Sequence, residues 1–216
     1  MENLLKIKEK VKNNFDLNKN LSKSAEIIAV SKTFNLDHIL PLINQGHIHY
    51  GENKVQEAVE KWTKIKIHNK KLNLHLIGRL QTNKVKLAVK IFDYIHSLDN
   101  KKLADKISKI QNELNIRTKL FIQVNVGNEN QKSGVATDNL LNFYSYCKNL
   151  NLNIIGLMCI PPLNEDSKKY FKIMNELNKK LKLNELSMGM SSDYLDALEY
   201  NATFVRIGSD IFGQRV

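Results

Sequence analysis

The stretch Glu26-Ile27-Ile28-Ala29-Val30-Ser31-Lys32-Thr33 decides how the rest of the chain is interpreted. It is a short apolar run, rich in β-branched residues, that ends on a lysine. Such a run is typical of a buried strand of the parallel kind, which is apolar on both faces. A lysine at the end of such a strand is unusual, because an ammonium group rarely lies at the mouth of a core. Lys32 could also turn outward into water, so the remaining sequence has to separate a functional lysine from a solvated one.

The length and composition indicate one globular domain over residues 1–216. Hydrophobic residues make up 42% and charged residues 25% of the 216-residue chain, which are ordinary globular values. No apolar run is long enough to span a bilayer, and the first residues lack the apolar region of a signal peptide. We therefore expect a cytoplasmic protein without a membrane segment.

The two cysteines and the excess of lysine give little sign of a metal or nucleic-acid site. Cys147 and Cys159 have no metal-binding or redox spacing, so we expect structural thiols, a reducing compartment and no metal. The net charge of +11 invites a nucleic-acid interpretation. However, the basic residues are nearly all lysines scattered among asparagines, whereas base recognition favours arginine forks and stacked aromatic residues. A lysine-rich RNA-binding protein remains an alternative.

Strand-like apolar runs alternate with helical patterns along the chain, which is typical of βα units and a parallel sheet. A leading amphipathic helix is predicted over residues 1–24. The predicted strands are 26–33, 47–52, 74–78, 94–98, 119–126, 154–160, 185–189 and 204–207. The predicted helices between and after them are 36–45, 53–66, 81–90, 100–114, 139–150, 165–181, 194–200 and a short closing turn.

Eight such units predict an α/β fold, a single (β/α)8 TIM barrel preceded by an extra N-terminal helix. A doubly wound open sheet is the alternative, although it seldom needs eight consecutive units. The first strand is also not followed by the Gly-x-Gly-x-x-Gly pattern of dinucleotide-binding folds. In barrels the active sites lie at the C-terminal ends of the strands, so the residues at those ends are the candidates for function.

Two loops rich in small residues follow the last two predicted strands. They are Gly189-Met190-Ser191-Ser192 and Gly208-Ser209. Backbone N–H groups in such turns bind anions, and many barrels hold a phosphate after strands seven and eight. Ser191 could instead be an ordinary helix cap. The pair of loops on neighbouring strands nevertheless makes a phosphate site a reasonable hypothesis.

A phosphate site facing Lys32 across a barrel mouth predicts Schiff-base chemistry. A nucleophilic lysine forms an imine with a carbonyl, and burial or a nearby cation lowers the pKa of its amine. A phosphorylated aldehyde fits such a site, and pyridoxal 5′-phosphate (PLP) is the commonest. A sugar-phosphate aldolase is the rival, but its lysine is usually crowded by carboxylates. Glu52 is the only acid that we place at a strand end on the lysine side.

Seven motifs in order resemble the pyridoxal phosphate homeostasis family, whose fold is similar to the barrel domain of alanine racemase. They run from one end of the chain to the other, and each alone would be weak. The motifs are Ala29-Val30-Ser31-Lys32-Thr33, Tyr50-Gly51-Glu52-Asn53, residues 75–84 (HLIGRLQTNK), Lys132-Ser133-Gly134, Gly156-Leu157-Met158, residues 186–193 (LSMGMSSD) and residues 206–213 (RIGSDIFG).

The resemblance implies a role for each matching residue. Lys32 would form a covalent aldimine with PLP, and Arg206 would face the pyridine nitrogen. Ser191, Gly208 and Ser209 would hold the phosphate, with Met190 and Ser192 nearby. Asn53 and His75 would line the cofactor pocket, although Asn53 could be a helix cap and His75 a packed strand residue.

The resemblance also implies a carrier or regulator of PLP rather than an enzyme, with no catalytic residues of its own. An arginine beside the pyridine nitrogen disfavours the protonated ring that stabilises carbanions. Alanine racemase also takes a tyrosine from a second domain, for which this sequence has no matching segment. We expect a monomer that binds PLP and passes it to PLP-dependent apoenzymes. A weak amino-acid racemase is the runner-up.

Overall fold

Parallel strands and helices alternate along almost the whole chain. The computed structural model describes residues 2–18, 21, 23–129 and 131–213. Within them the α-helices are α1 (Glu2–Leu17), α2 (Leu36–Asn44), α3 (Val55–His68), α4 (Val85–Ile91), α5 (Lys101–Leu114), α6 (Leu140–Asn149), α7 (Ser167–Lys180), α8 (Tyr194–Glu199) and α9 (Ser209–Phe212). The strands are β1 (Glu26–Val30), β2 (His49–Glu52), β3 (Asn73–Leu76), β4 (Tyr94–Leu98), β5 (Lys119–Asn125), β6 (Val135–Ala136), β7 (Ile154–Met158), β8 (Glu185–Met190) and β9 (Phe204–Ile207).

Eight of these strands close into a parallel barrel. The hydrogen-bonded order is β4-β3-β2-β1-β9-β8-β7-β5, and a further pairing between β4 and β5 joins the two ends. The two-residue strand β6 lies outside this ring, beside β5. The predicted (β/α)8 barrel is therefore confirmed, and the open doubly wound sheet is excluded because its end strands would not pair.

Several helices and strands are shorter than predicted. β1 ends at Val30 rather than Thr33, and β2 begins at His49 rather than His47. Hydropathy marks the apolar centre of a strand but not its last ladder hydrogen bond, so the predicted β1 was extended into the polar residues Ser31, Lys32 and Thr33. Helix α4 is short because a 3-10 turn over Thr82–Lys84 precedes it, and β6 was not predicted.

The predicted leading helix is present but shorter than 1–24. Helix α1 ends at Leu17 and packs its buried residues Leu4, Ile7 and Val11 against the barrel helices. Of the remaining predicted residues, Met1, Lys19, Asn20 and Ser22 lie outside the described part of the chain.

Side chains alternate between the inside and the outside of the barrel along each strand. The interior contains a separate apolar cluster of Ile28, Tyr94, Phe121, Met158 and Phe204. The larger core lies between the outer face of the barrel and the helices. This alternation determines which residues at the strand ends face the mouth of the barrel.

Candidate functional site

A cavity of about 650 Å³ lies at the C-terminal ends of the strands. Eight of the nine predicted site residues line it. They are Lys32, Asn53, Met190, Ser191, Ser192, Arg206, Gly208 and Ser209. The remaining lining residues are Val30, Phe34, Ile77, Ile160 and Gly213, which sequence reasoning did not select. The alternation of side chains along a strand could have found Val30, Ile77 and Ile160. Each lies two positions after a residue whose side chain points into the barrel.

Lys32 faces the cavity because it continues the alternate residues of β1 whose side chains point into the barrel. Ile28 packs inside the barrel, and both Val30 and Lys32 line the cavity. Thr33 follows with a φ of 69°, a left-handed conformation that a β-branched residue seldom adopts. Such a residue persists only where the surrounding contacts hold it.

A buried polar cluster on the outer face holds both neighbours of Lys32. The Ser31 hydroxyl donates to Glu52 Oε1 at 2.8 Å, and the Thr33 N–H donates to Glu57 Oε1 at 2.8 Å. Lys61 Nζ joins the cluster by donating to Glu52 and Glu57 at 3.0 and 3.1 Å. These contacts fix the backbone on either side of the lysine.

Glu52 consequently does not act on the lysine side of the barrel, contrary to the prediction. Its carboxylate is fully buried on the outer face of β2, where Trp62 Nε1 donates to it at 3.0 Å. Alternation along β2 sends Gly51 inward and Glu52 outward. Removing this acid from the mouth of the barrel weakens the aldolase alternative further.

Asn53 reaches the cavity because Gly78 lets the two strand ends approach closely. A Cβ on Gly78 would lie 2.3 Å from the Asn53 carbonyl oxygen. The helix-cap role considered for Asn53 is not observed, because α3 begins at Val55 and Lys54 occupies its N-cap position.

The first small-residue loop is a tight turn closed by Asp193. The Met190 N–H donates to Asp193 Oδ1 at 2.6 Å, and the Asp193 N–H donates to the Met190 carbonyl at 3.1 Å. Asp193 is the N-cap residue of α8, but its side chain makes no cap hydrogen bond to that helix. The turn presents Ser191 and Ser192 to the cavity, and the second loop, Gly208-Ser209, lies beside it at the start of α9.

Arg206 is a buried cation in the wall of the cavity. Its Nη1 donates to Ser187 Oγ and its Nη2 to the Cys159 carbonyl oxygen, both at 2.8 Å. Burial lowers the pKa of the guanidinium, which stays cationic at neutral pH. Among the described residues, no carboxylate forms an ion pair with it. Two of its five N–H donors make hydrogen bonds within the described part of the chain, and the other three can donate to a ligand.

His75 does not line the cavity, contrary to the prediction. It is fully buried in the barrel interior, stacked on Tyr94 with ring centroids 4.2 Å apart. Its Nε2 lies 2.9 Å from His49 Nδ1, and its Nδ1 lies 2.9 Å from His96 Nε2. The position of His75 within β3, rather than at its end, places the ring one layer below the mouth.

Neither cysteine forms a disulfide or lies on the surface, which is compatible with the predicted structural role. Both are free thiols buried in the core, and burial raises each thiol pKa to about 12. The described residues contain no group of His, Cys, Asp or Glu side chains arranged to hold a metal ion. In residues 2–18, 21, 23–129 and 131–213, no helix has the length and apolar character needed to cross a bilayer.

The chain resembles known proteins over almost its full length. The family model of the alanine racemase N-terminal domain matches residues 8–216. A pyridoxal phosphate homeostasis protein from Aquifex aeolicus is 43% identical, over 88% of this chain and 87% of that protein. The structure of Synechococcus elongatus PipY with PLP bound has a TM-score of 0.84 and 33% identity, covering 98% of this chain and 99% of PipY.

A third comparison supports the fold alone. Alanine racemase from Clostridium difficile matches with a TM-score of 0.72 and 14% identity, over all of this chain and 57% of the enzyme. The family match, the identity to the homeostasis proteins and the shared strand-end motifs agree with one another. The chain therefore belongs to the pyridoxal phosphate homeostasis protein family, which is built on the alanine racemase N-terminal domain.

Proposed function

We propose that this protein binds PLP in the cavity as a Schiff base on Lys32 and serves intracellular PLP homeostasis without catalytic turnover. The observation that carries the proposal is the meeting of Lys32, Arg206 and two serine-glycine loops around one cavity of about 650 Å³. PLP bound to the related PipY supports the same ligand.

The residues present match the three reactive parts of PLP. Lys32 supplies a primary amine for the aldehyde, and the condensation would release one water molecule. Ser191 and Ser209 offer hydroxyl groups for the phosphate, next to backbone N–H groups of their loops. Arg206 has unused N–H donors for the pyridine nitrogen. A buried guanidinium without a carboxylate is costly, and a ligand with an acceptor atom would reduce that cost.

The chemistry of the cavity wall supports binding rather than turnover. Bound PLP supplies an electron-withdrawing ring, but racemisation also requires two acid–base groups, one on each face of the substrate. Among the described residues lining the cavity, Lys32 and Arg206 are the only ones with titratable side chains. Arg206 also opposes protonation of the ring nitrogen.

The absorbance of the purified protein tests the proposal. After addition of PLP, the wild type should show a visible band near the blue edge, and Lys32→Ala should abolish it. Lys54→Ala is the matched control, because Lys54 lies near the same strand ends but does not line the cavity. A wild type without the band, or a Lys32→Ala protein that keeps it, would contradict the proposal.

Turnover is tested separately with single L-amino acids in deuterated solvent. The PLP-loaded protein should produce no sustained racemisation and no steady incorporation of deuterium at the α-carbon. Multiple turnovers per protein molecule would instead support the racemase alternative.

We further propose a cytoplasmic, monomeric single-domain carrier that passes PLP to PLP-dependent apoenzymes. The most exposed apolar side chains, Leu163 and Leu17, lie in the loop before α7 and at the last residue of α1. Light scattering of the loaded protein should give the mass of one chain. Mixing it with an apoenzyme should restore that enzyme's activity even when a scavenger removes free PLP.

A further inference from the structure

A line of hydrogen bonds extends from Arg206 through the interior of the barrel. Arg206 Nη1 lies 2.8 Å from Ser187 Oγ, and Ser187 Oγ lies 2.9 Å from His96 Nδ1. His96 Nε2 lies 2.9 Å from His75 Nδ1, and His75 Nε2 lies 2.9 Å from His49 Nδ1. The four lower members come from four strands, β8, β4, β3 and β2. All five side chains are buried.

If each histidine is neutral, one direction satisfies every donor and acceptor in this line. The reverse direction would leave the Ser187 hydroxyl proton without an acceptor among the described side chains. Arg206 can only donate, so the Ser187 oxygen accepts and its hydroxyl proton is available for His96 Nδ1. A neutral His96 then carries its proton on Nε2 and donates it to His75 Nδ1. The same rule places the next proton on His75 Nε2, which donates to His49 Nδ1.

Burial and the arginine charge keep the histidines neutral. Burial lowers the pKa of His75 and of His96 well below the ordinary value, and the Arg206 charge lowers that of His96 further. A protonated His96 would place a second cation against the hydroxyl that already accepts from Arg206. The line therefore gives the Arg206 guanidinium a neutral hydroxyl as hydrogen-bond acceptor. It places no negative charge beside the cavity.

The line ends at the opposite side of the barrel. His49 Nε2 lies 3.9 Å from Glu26 Oε2, whose side chain is 60% exposed. Both residues line a second cavity of about 310 Å³ at the N-terminal ends of the strands. Thus the N–H of His49 Nε2 points toward the exposed Glu26 at one end of the line. At the other end the Ser187 oxygen accepts from Arg206 in the wall of the cofactor cavity.

We propose that His96 and His75 are positioning residues for Arg206. Both imidazoles are neutral and protonated on Nε2, so every hydrogen bond of the line is donated in the same direction, and they act on the arginine through Ser187. The line holds the guanidinium at the cofactor cavity with its full positive charge. This inference rests on the proposed function only in assigning PLP as the ligand that the arginine contacts.

Ordinary packing accounts for the rings but not for the line. His75 stacks on Tyr94 and His96 on Phe121, each with centroids 4.2 Å apart. Stacking fixes the planes of the rings, whereas apolar rings of similar size would fill the same space. Stacking does not explain why three imidazoles are hydrogen-bonded nitrogen to nitrogen and connect through Ser187 to an arginine.

Two substitutions at position 96 separate positioning from packing. His96→Asn keeps an acceptor near the place of Nδ1, and His96→Gln keeps a polar group only near the place of Nε2. We expect His96→Gln to weaken PLP binding about tenfold and to shift the visible band, because Ser187 loses its partner. His96→Asn should weaken binding less than threefold.

Two substitutions at position 187 test the same contact. Ser187→Ala should weaken PLP binding as much as His96→Gln does, and Ser187→Thr, which keeps the hydroxyl, should keep most of the wild-type affinity.

Phe121→Leu is the matched control, because it removes the ring that stacks on His96 but none of the hydrogen bonds of the line. It should lower stability but leave the visible band in place. If Phe121→Leu shifts the band as much as His96→Gln does, or if His96→Gln binds PLP like the wild type, the positioning role is wrong.

Nitrogen-15 NMR of histidine-labelled protein without PLP tests the line even if a variant fails to fold. His49, His75 and His96 should each show a neutral ring with the proton on Nε2. A proton on Nδ1 of His75 or His96, or a charged ring there at neutral pH, would overturn the inference. A wild type with this pattern that nevertheless binds no PLP would refute the proposed function and leave the line intact.

Discussion

At the scale of single residues, the site depends on backbone positions that few side chains tolerate. Gly189 has a φ of 87°, and a Cβ there would lie 2.6 Å from Ala197 Cβ and 2.9 Å from Tyr194 Cα. The glycine therefore lets β8 end directly against α8, which brings Ser191 and Ser192 to the cavity. Both the torsion and the close approach exclude a larger residue.

Two glycine-to-alanine substitutions separate torsional strain from the steric clash. Gly46 has a φ of 80° but no atom within 4 Å of its Cβ position, so Gly46→Ala should cost about 1–2 kcal/mol from strain alone. Gly189→Ala adds overpacking of about 1–3 kcal/mol and should also weaken PLP binding by displacing the serine loop. Urea unfolding and PLP titration of both variants measure these effects. Equal destabilisation with unchanged binding would contradict the steric argument.

At the scale of elements, one buried ionic cluster joins β1, β2 and α3 behind the lysine. Lys61 of α3 is 10% exposed and contacts Glu52, Glu57 and the Ser31 carbonyl oxygen. The cluster holds Thr33 in its left-handed conformation through the Glu57 carboxylate. Buried charges of this kind stabilise a structure only while each has its partner.

Removing the central cation should therefore be costly. We expect Lys61→Met to lower the free energy of unfolding by about 3–5 kcal/mol, because Glu52 stays buried without its counter-charge. The matched control is Lys109→Met, since Lys109 pairs with Glu113 at 4.0 Å on an exposed face. It should cost less than about 0.5 kcal/mol. Comparable losses in the two variants, measured by denaturant unfolding, would show that the cluster is not needed for stability.

At the scale of the whole molecule, the protein buries four of its six histidines. His47, His49, His75 and His96 are all buried, and burial lowers the pKa of each. For His47 the pKa falls from 6.5 to about 4. The unfolded chain takes up these protons first as the pH decreases, so acid favours unfolding.

The resulting pH dependence of stability has a definite sign. The stability should be fully present above about pH 6.5 and should be lost as the pH falls toward about 4. His47 alone accounts for about 3 kcal/mol of this loss at full protonation. Unfolding by urea between pH 7.5 and 5 measures the slope, which His47→Gln should reduce and His68→Gln, at an exposed position, should not. A flat profile for the wild type would contradict the assignment of neutral buried histidines.

Local pattern was sufficient to predict the class of fold and which strand ends meet at the candidate site, whereas the family resemblance singled out most of the site residues. Eight apolar runs separated by helical patterns predict a barrel, because runs that are apolar on both faces indicate a parallel sheet covered by helices, and an open sheet seldom needs eight consecutive units. Strand ends then meet at one mouth, so motifs far apart in sequence, such as those at Lys32, Ser191 and Arg206, are predicted to face one another. Element bounds were less accurate, since hydropathy does not mark the last ladder hydrogen bond.

The remaining features depend on tertiary geometry. Alternation within β2 and β3 placed Glu52 outside the barrel and His75 inside it, and a difference of one residue in register decides such an assignment. The link from Arg206 through Ser187 to three histidines joins five strands, which sequence order cannot bring together. The sequence by itself determined the barrel, the lysine and the loops facing it, because they follow from local periodicity. Only the closed barrel decided what supports the arginine, because that depends on which interior side chains meet across its axis.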